Sequence, residues 1–102
     1  MTEKRKPTYD LDAFKAAADR MRITVTATRT AAALGFGRAD IVATVQTMQR
    51  SQFHKSMTSY GDHRIWQDVY HVRSELGLLY VKFTADAVTD FALLSFKEKE
   101  ND

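Results

Sequence analysis

The chain has no cysteine. Disulfide bridges and thiolate metal sites are therefore excluded, and stability must come from packing and hydrogen bonding. Proline occurs once, at Pro7, and none of the four glycines is adjacent to another. So few cannot build a phosphate-cradling glycine loop or a proline-rich linker. No apolar run approaches the ~20 residues needed to cross a bilayer. The opening MTEKRKPTYD carries charge but no apolar stretch, so it does not read as a secretory signal. A cytoplasmic protein with no membrane partner fits these absences. Excess charge of one sign is also small: 15 Lys and Arg stand against 13 Asp and Glu, a net of +2. That balance permits a polyanionic partner without demanding one. HExxH is missing, and the spacing of His54, His63 and His71 matches no standard metal signature. No metal or cofactor is expected.

What is present fits one domain, residues 1–102, large enough to bury ~60–65% of its unfolded surface. Residues 1–8 read as a frayed terminus, or alternatively as a basic arm of Lys4, Arg5 and Lys6 that touches phosphates. Asp10 is placed to cap a helix over Leu11–Met21, with Tyr9 packed on Phe14. Leu11, Phe14, Ala18 and Met21 share one face of it. Arg22–Thr28, RITVTAT, alternates apolar and Thr residues as a half-buried strand does, although it also suits an extended lead-in to a helix. Arg29–Leu34 is a short Ala-rich helical stretch, and Gly35 after it supplies a natural C-cap. Asp40 is expected to cap a helix reaching Met48 or Gln49, buried through Ile41, Val42, Val45 and Met48.

The second half reads as strands over 65–72, 78–84 and 91–96. The turns between them, at 74–77 and 86–90, are short and favour an antiparallel meander. Trp66 and the apolar strand faces would meet the helices there. Leu94 and Phe96 are expected on one face of the last strand, and Leu93, Ser95 and Lys97 on the other. The tail KEKEND reads as solvated. The fold class is α+β: two layers, an antiparallel sheet packed against N-terminal helices.

Chemistry concentrates in FHKSMTSYGDHRIWQDVY, residues 53–70, which reads as a loop entering a strand. Lys, Arg, Gln, Tyr and His side chains on neighbouring strands suit phosphate chemistry without a metal. RNA can be cut by its own 2′-hydroxyl, provided a protein positions the groups, offsets charge on phosphorus and moves protons. DNA lacks that hydroxyl, so the chemistry is RNA-specific. Each candidate also has a plain structural reading. Lys55 and Lys97 can be solvated charges, Tyr80 packing, Gln67 a tie within the sheet, Trp66 core, and His54 and His63 loop residues.

The strings Phe53–Lys55–Ser56–Met57–Thr58, Asp62–His63 and Ile65–Trp66–Gln67–Asp68–Val69–Tyr70 resemble the signature of the MqsR toxins. The likeness continues through Tyr80–Val81–Lys82 to Ser95–Phe96–Lys97–Glu98–Lys99. It also takes in Thr28–Arg29, and so covers nearly the whole chain. It implies a RelE-like fold and a metal-independent mRNA endoribonuclease, the toxin of a type II toxin–antitoxin pair. By the same resemblance Lys55, Gln67, Tyr80 and Lys97 are the catalytic residues. His54, His63 and Arg64 are further candidates for catalysis or substrate contact. The implied partners are single-stranded mRNA and an antitoxin with a zinc-binding domain and a helix-turn-helix domain. Operator DNA would be reached only through that complex. Many relatives carry Tyr where this chain has His54, a group that titrates near neutrality. The alternative is a RelE-like protein that binds RNA or antitoxin without cutting, or a small interaction domain on which these side chains are surface decoration.

The shared site requires Gln67, Tyr80 and Lys97 to lie on one sheet face. Given that, Lys55→Ala is expected to raise the barrier of the chemical step by ~2–4 kcal/mol, the range for losing one charge-stabilising donor. Single-turnover cleavage rates check this, and an unchanged rate removes Lys55 from the mechanism.

Overall fold

The computed structural model describes residues 2–100. Its helices are α1 (Leu11–Ala17), α2 (Val25–Ala33) and α3 (Arg38–Gln46), with a 3-10 turn at Arg50–Gln52. Its strands are β1 (Glu3–Lys4), β2 (Arg22–Ile23), β3 (Phe53–Thr58), β4 (Trp66–Ser74), β5 (Gly77–Asp86) and β6 (Asp90–Glu98). They form one sheet in the order β1-β3-β4-β5-β6-β2, antiparallel except for β2 on β6. The fold is α+β, and the expected meander is there with one strand more, β3, at its start.

Asp10 caps α1 as expected, its carboxylate accepting from the Asp12 amide at 3.2 Å. The helix stops at Ala17, short of Met21. Arg22 and Ile23 pair with Ala92 and Leu93, which demands extended backbone immediately afterwards. The alternation in 22–28 yields only that two-residue strand. Thr24 then caps α2, its hydroxyl accepting from the Ala27 amide at 3.1 Å, and Ala27 and Ala31, four apart, form the buried stripe. Gly35 ends α2 at φ +87°, with Gly35 and Phe36 amides returning to Ala32 and Ala31 carbonyls. Asp40 is not the N-cap of α3. It sits three residues inside, and its carboxylate accepts from the Gly37 amide at 2.8 Å.

One buried cluster joins Leu11 and Phe14 of α1, Ala27 and Ala31 of α2, and Ile41 and Val45 of α3. From the strands it takes Tyr70, Val72, Leu79, Val81, Phe83, Phe91, Leu93 and Phe96. The Phe14 and Phe83 rings stack at 3.6 Å between centroids. Tyr9 packs on Phe83 and Phe91, centroids 6.1 and 6.0 Å away. Trp66 is not part of this core. It is half-buried, and the Lys4 ammonium lies 4.2 Å above its ring. The free edge of β6 is closed by α2: the Thr24 and Thr30 hydroxyls donate to the Leu94 and Phe96 carbonyls at 3.2 and 2.6 Å.

From Thr2 onward the first segment is tied to the sheet, not frayed, while Met1 lies outside the described residues. Thr2 and Thr58 exchange hydrogen bonds, the Thr58 amide donating to the Thr2 carbonyl at 2.8 Å and the Thr2 amide to the Thr58 hydroxyl at 2.9 Å. Glu3 and Lys4 pair with Met57 and Ser56. Asp68, fully buried on β4, accepts from the Thr8 amide at 3.0 and 3.1 Å and from the Tyr9 amide at 2.9 Å. The Thr8 and Ser56 hydroxyls lie 2.8 Å apart, and the Tyr9 hydroxyl donates to the Trp66 carbonyl at 2.9 Å. Asp68→Ala strands two amide donors under the segment and is expected to lower unfolding free energy by about 3 kcal/mol. Urea melts check this. Asp68→Asn, which keeps one acceptor, falls between the two.

Candidate functional site

Strand alternation sends Tyr70, Val72, Leu79, Val81 and Phe83 toward the core and leaves the opposite face of the sheet for polar groups. Cross-strand register shows which residues share that outer face. Val69 pairs with Lys55 on one side and Lys82 on the other. His71 pairs with Tyr80, and Tyr80 pairs with Lys97. Gln67 lies two residues before Val69, so Gln67, Tyr80 and Lys97 do share a face.

Two irregularities in the ladder make this possible. Phe53 pairs with Tyr70 and Lys55 with Val69, so His54 is an extra residue in β3. Such a bulge sets two successive side chains against one partner residue, here His54 and Lys55. The second bulge is in β6. Phe83 pairs with Leu93 but Lys82 pairs with Ser95, which leaves Leu94 unmatched. The extra residue reverses the facing of everything after it. Leu93 and Phe96 both reach the core, and Lys97 reaches the outer face. Leu93 is therefore not on the Lys97 side, contrary to simple alternation.

His54, Lys55, His71, Tyr80, Lys97, Lys99 and Glu100 line a cavity of about 390 Å³ on this face. The His54 and His71 rings stack at 4.1 Å between centroids, 23° from parallel, and Tyr80 follows 6.1 Å beyond His71. The Lys97 ammonium stands 5.3 Å from the Tyr80 ring centroid. The Lys55 ammonium donates to Glu3 Oε2 at 2.8 Å. His54 and Lys55 are strand residues, not loop residues, and the seven-residue connection between β3 and β4 follows them at 59–65.

Burial, reinforced by Lys55, holds the His54 imidazole below its ordinary pKa. Burial and the adjacent His54 do the same for His71. Burial pushes the Tyr80 phenol up, so it keeps its proton. Burial pushes Lys82 down, helped by Lys97 and Lys55. The face thus offers ammonium groups for an anion, imidazoles free to accept a proton, and a phenol able to donate one. Gln67 is on the same face but does not line the cavity. His63 and Arg64 stand exposed in the 59–65 loop, where Arg64 pairs with Asp62 at 3.0 Å. Among the described residues no three His, Asp or Glu side chains gather as metal ligands, and no helix is long and apolar enough to cross a membrane.

Sequence pattern does not single out His71, Lys82, Lys99 or Glu3. His71 and Lys82 are visible in principle, at even spacing from a candidate on the same strand: four residues from Gln67 and two from Tyr80. Lys99 is hidden in the charged tail KEKEND, but the ladder reaches it: the Lys99 amide donates to the Leu78 carbonyl at 2.8 Å, while Asn101 and Asp102 lie outside the described residues. Glu3 carries no signal, because only the fold brings it to Lys55.

A six-stranded α+β domain bearing a cationic sheet face beside proton donors and acceptors has, as a class, the groups to bind an anion and move protons. Comparison with known proteins agrees. The family described as motility quorum-sensing regulator, toxin of MqsA, matches residues 6–98. The mRNA interferase toxin MqsR of Escherichia coli (strain K12) is 39% identical over 99 residues, covering 95% of this chain and 99% of that protein. The chain belongs to this toxin family.

The stacked imidazoles provide a direct check. In an NMR titration His54 and His71 are expected to titrate below the ordinary histidine value. Because the folded state holds them neutral, the unfolded state binds more protons as pH falls through that value, so stability declines there. His71→Ala removes the covering ring, relieves the burial that lowers His54, and is expected to move His54 back up.

Proposed function

We propose that the chain is an mRNA endoribonuclease, the toxin of a type II toxin–antitoxin pair, built as a single RelE-like domain over residues 1–102 with helices layered on one sheet face. Family membership and the mRNA interferase among its relatives support this. The observation that carries it onto particular residues is the gathering of Lys55, Tyr80, Lys97 and His54 around one open cavity.

In this reading Lys55 and Lys97 hold the scissile phosphate and offset the charge that grows on its oxygens. The substrate's 2′-hydroxyl attacks the adjacent phosphorus and the 5′ oxygen leaves, so no metal is needed. Tyr80 or His54 takes part in proton transfer. Tyr80 suits the leaving oxygen because it keeps its proton. Gln67, further along the same face, positions the phosphate or a neighbouring base. His63 and Arg64, on the outlying loop, support the RNA away from the cut. The expected protein partner is an antitoxin with zinc-binding and helix-turn-helix domains, and operator DNA is reached through that complex. The site of action is the cytoplasm, where the mRNA is.

Purified protein is expected to cleave a defined single-stranded RNA in EDTA and to leave a 2′,3′-cyclic phosphate and a 5′-hydroxyl. End-group analysis of the products checks this. Folded protein that cuts none of a varied set of RNAs, with or without added metal, overturns the reading in favour of a member that binds without cutting.

A further inference from the structure

We infer that Glu3 is the general base that removes the proton of the 2′-hydroxyl, an inference that rests on the ribonuclease reading above. Glu3 is not part of the 53–70 signature, and it lies before the span matched by the family. It reaches the site because the start of the chain is fixed on both sides of it. The exchange between Thr2 and Thr58 precedes it. Lys4 over Trp66, and Thr8 and Tyr9 on Asp68, follow it.

The geometry suits a base. Glu3 Oε2 accepts from Lys55 at 2.8 Å, while among the described residues Oε1 has no hydrogen-bond partner and is left to accept another. An ammonium has three donors. Lys55 can therefore hold a phosphate oxygen without releasing Glu3. In a near-attack arrangement the 2′ oxygen stands within ~3–3.5 Å of phosphorus. A phosphate held by Lys55 thus carries its own 2′-hydroxyl to the neighbourhood of the carboxylate. The pair acts as one unit, its cation on the electrophile and its anion on the nucleophile.

The groups facing Glu3 are Lys55, His54 and Arg5, with Tyr80 also within electrostatic reach. Lys55 and Arg5 have no acceptor to offer, and Tyr80 retains its proton. His54 is the competing acceptor, but its ring is stacked on His71, and the direct hydrogen bond to Lys55 belongs to Glu3. The step balances as follows. Glu3 takes the hydroxyl proton, the 2′ oxygen bonds to phosphorus, the bond from phosphorus to the 5′ oxygen breaks, and that oxygen takes a proton from Tyr80. Solvent then takes the proton from Glu3 and returns one to Tyr80. The hydrogen bond and charge of Lys55 hold the Glu3 carboxyl below its usual range, so the base form persists as pH falls into that range.

The test uses the full chain as wild type, Glu3→Gln and Glu3→Asp. Substrates are a single-stranded RNA that the wild type cleaves and the same RNA with a 2′-deoxy nucleotide at the cut. The expected result is a fall in kcat of ~10²–10⁴-fold for Glu3→Gln, the range for a general base. Binding of the 2′-deoxy RNA should be essentially unchanged, and Glu3→Asp should be partly active. The acid limb of the wild-type kcat profile should lie below the ordinary glutamate value and be absent from Glu3→Gln. A Glu3→Gln protein with wild-type kcat overturns the inference. So does a loss seen only in KM or in binding, which would make Glu3 a holder of Lys55. An acid limb in the histidine range retained by Glu3→Gln also overturns it. Wild-type protein that cuts no RNA is a different result, since it removes the ribonuclease reading itself.

Discussion

A buried carboxylate holds the front of the molecule together. Asp68 sits beneath the sheet's first layer with no exposure and takes the amides of Thr8 and Tyr9. A buried charge of this kind is tolerated only when its oxygens are occupied, so the segment that supplies the amides is bound in turn. Much depends on that mutual requirement. Tyr9 is brought against Phe83 and Phe91, Asp10 is set at the start of α1, and the first residues are laid along β3. The signature stretch thus does two jobs on alternate residues. Ser56, Thr58 and Asp68 face inward and secure the N-terminal segment, while Lys55 and Gln67 face outward.

That division explains how much could be read from sequence. Periodicity placed the capped start of α1, the end of α2 at Gly35 and the strands of the meander, because each follows from a local preference. It misread RITVTAT, where Thr24 caps a helix and ends the alternation. It also left β3 as a loop, since FHKSMT shows no clean alternation. The reason is physical: a bulge at His54 breaks the period at the second residue of the strand. The second bulge, at Leu94, turns Lys97 outward, and no local preference in LLSFK announces it. The resemblance to a family named Lys55, Gln67, Tyr80 and Lys97, and alternation alone would have put Lys97 beside Leu93. Glu3 and the inward role of Asp68 depend on pairings across some sixty positions, such as Tyr9 with Asp68, which lie outside the reach of any short window.

The electrostatics of the outer face are those of a surface prepared for an anion. Lys82 is destabilised as a cation by burial and by Lys97 and Lys55, and both stacked imidazoles are kept neutral. A negative charge beside them favours the protonated form of each. Among the described residues the carboxylate paired with Lys55 is that of Glu3, and at 51% side-chain exposure it remains open to a ligand.

The bulge at His54 separates two properties that a regular strand would join. Lys55 is set opposite Val69 by the register that follows the bulge, and it does not need position 54 to be histidine. Replacement at 54 therefore alters what the rim of the cavity presents while the lysine behind it stays in place. Loss of the position would leave Phe53 opposite Tyr70 and Lys55 opposite Val69 as neighbouring rungs of a regular ladder, and would take one side chain from the rim. One residue beyond the regular count thus adds a functional group to the face without re-aiming the lysine.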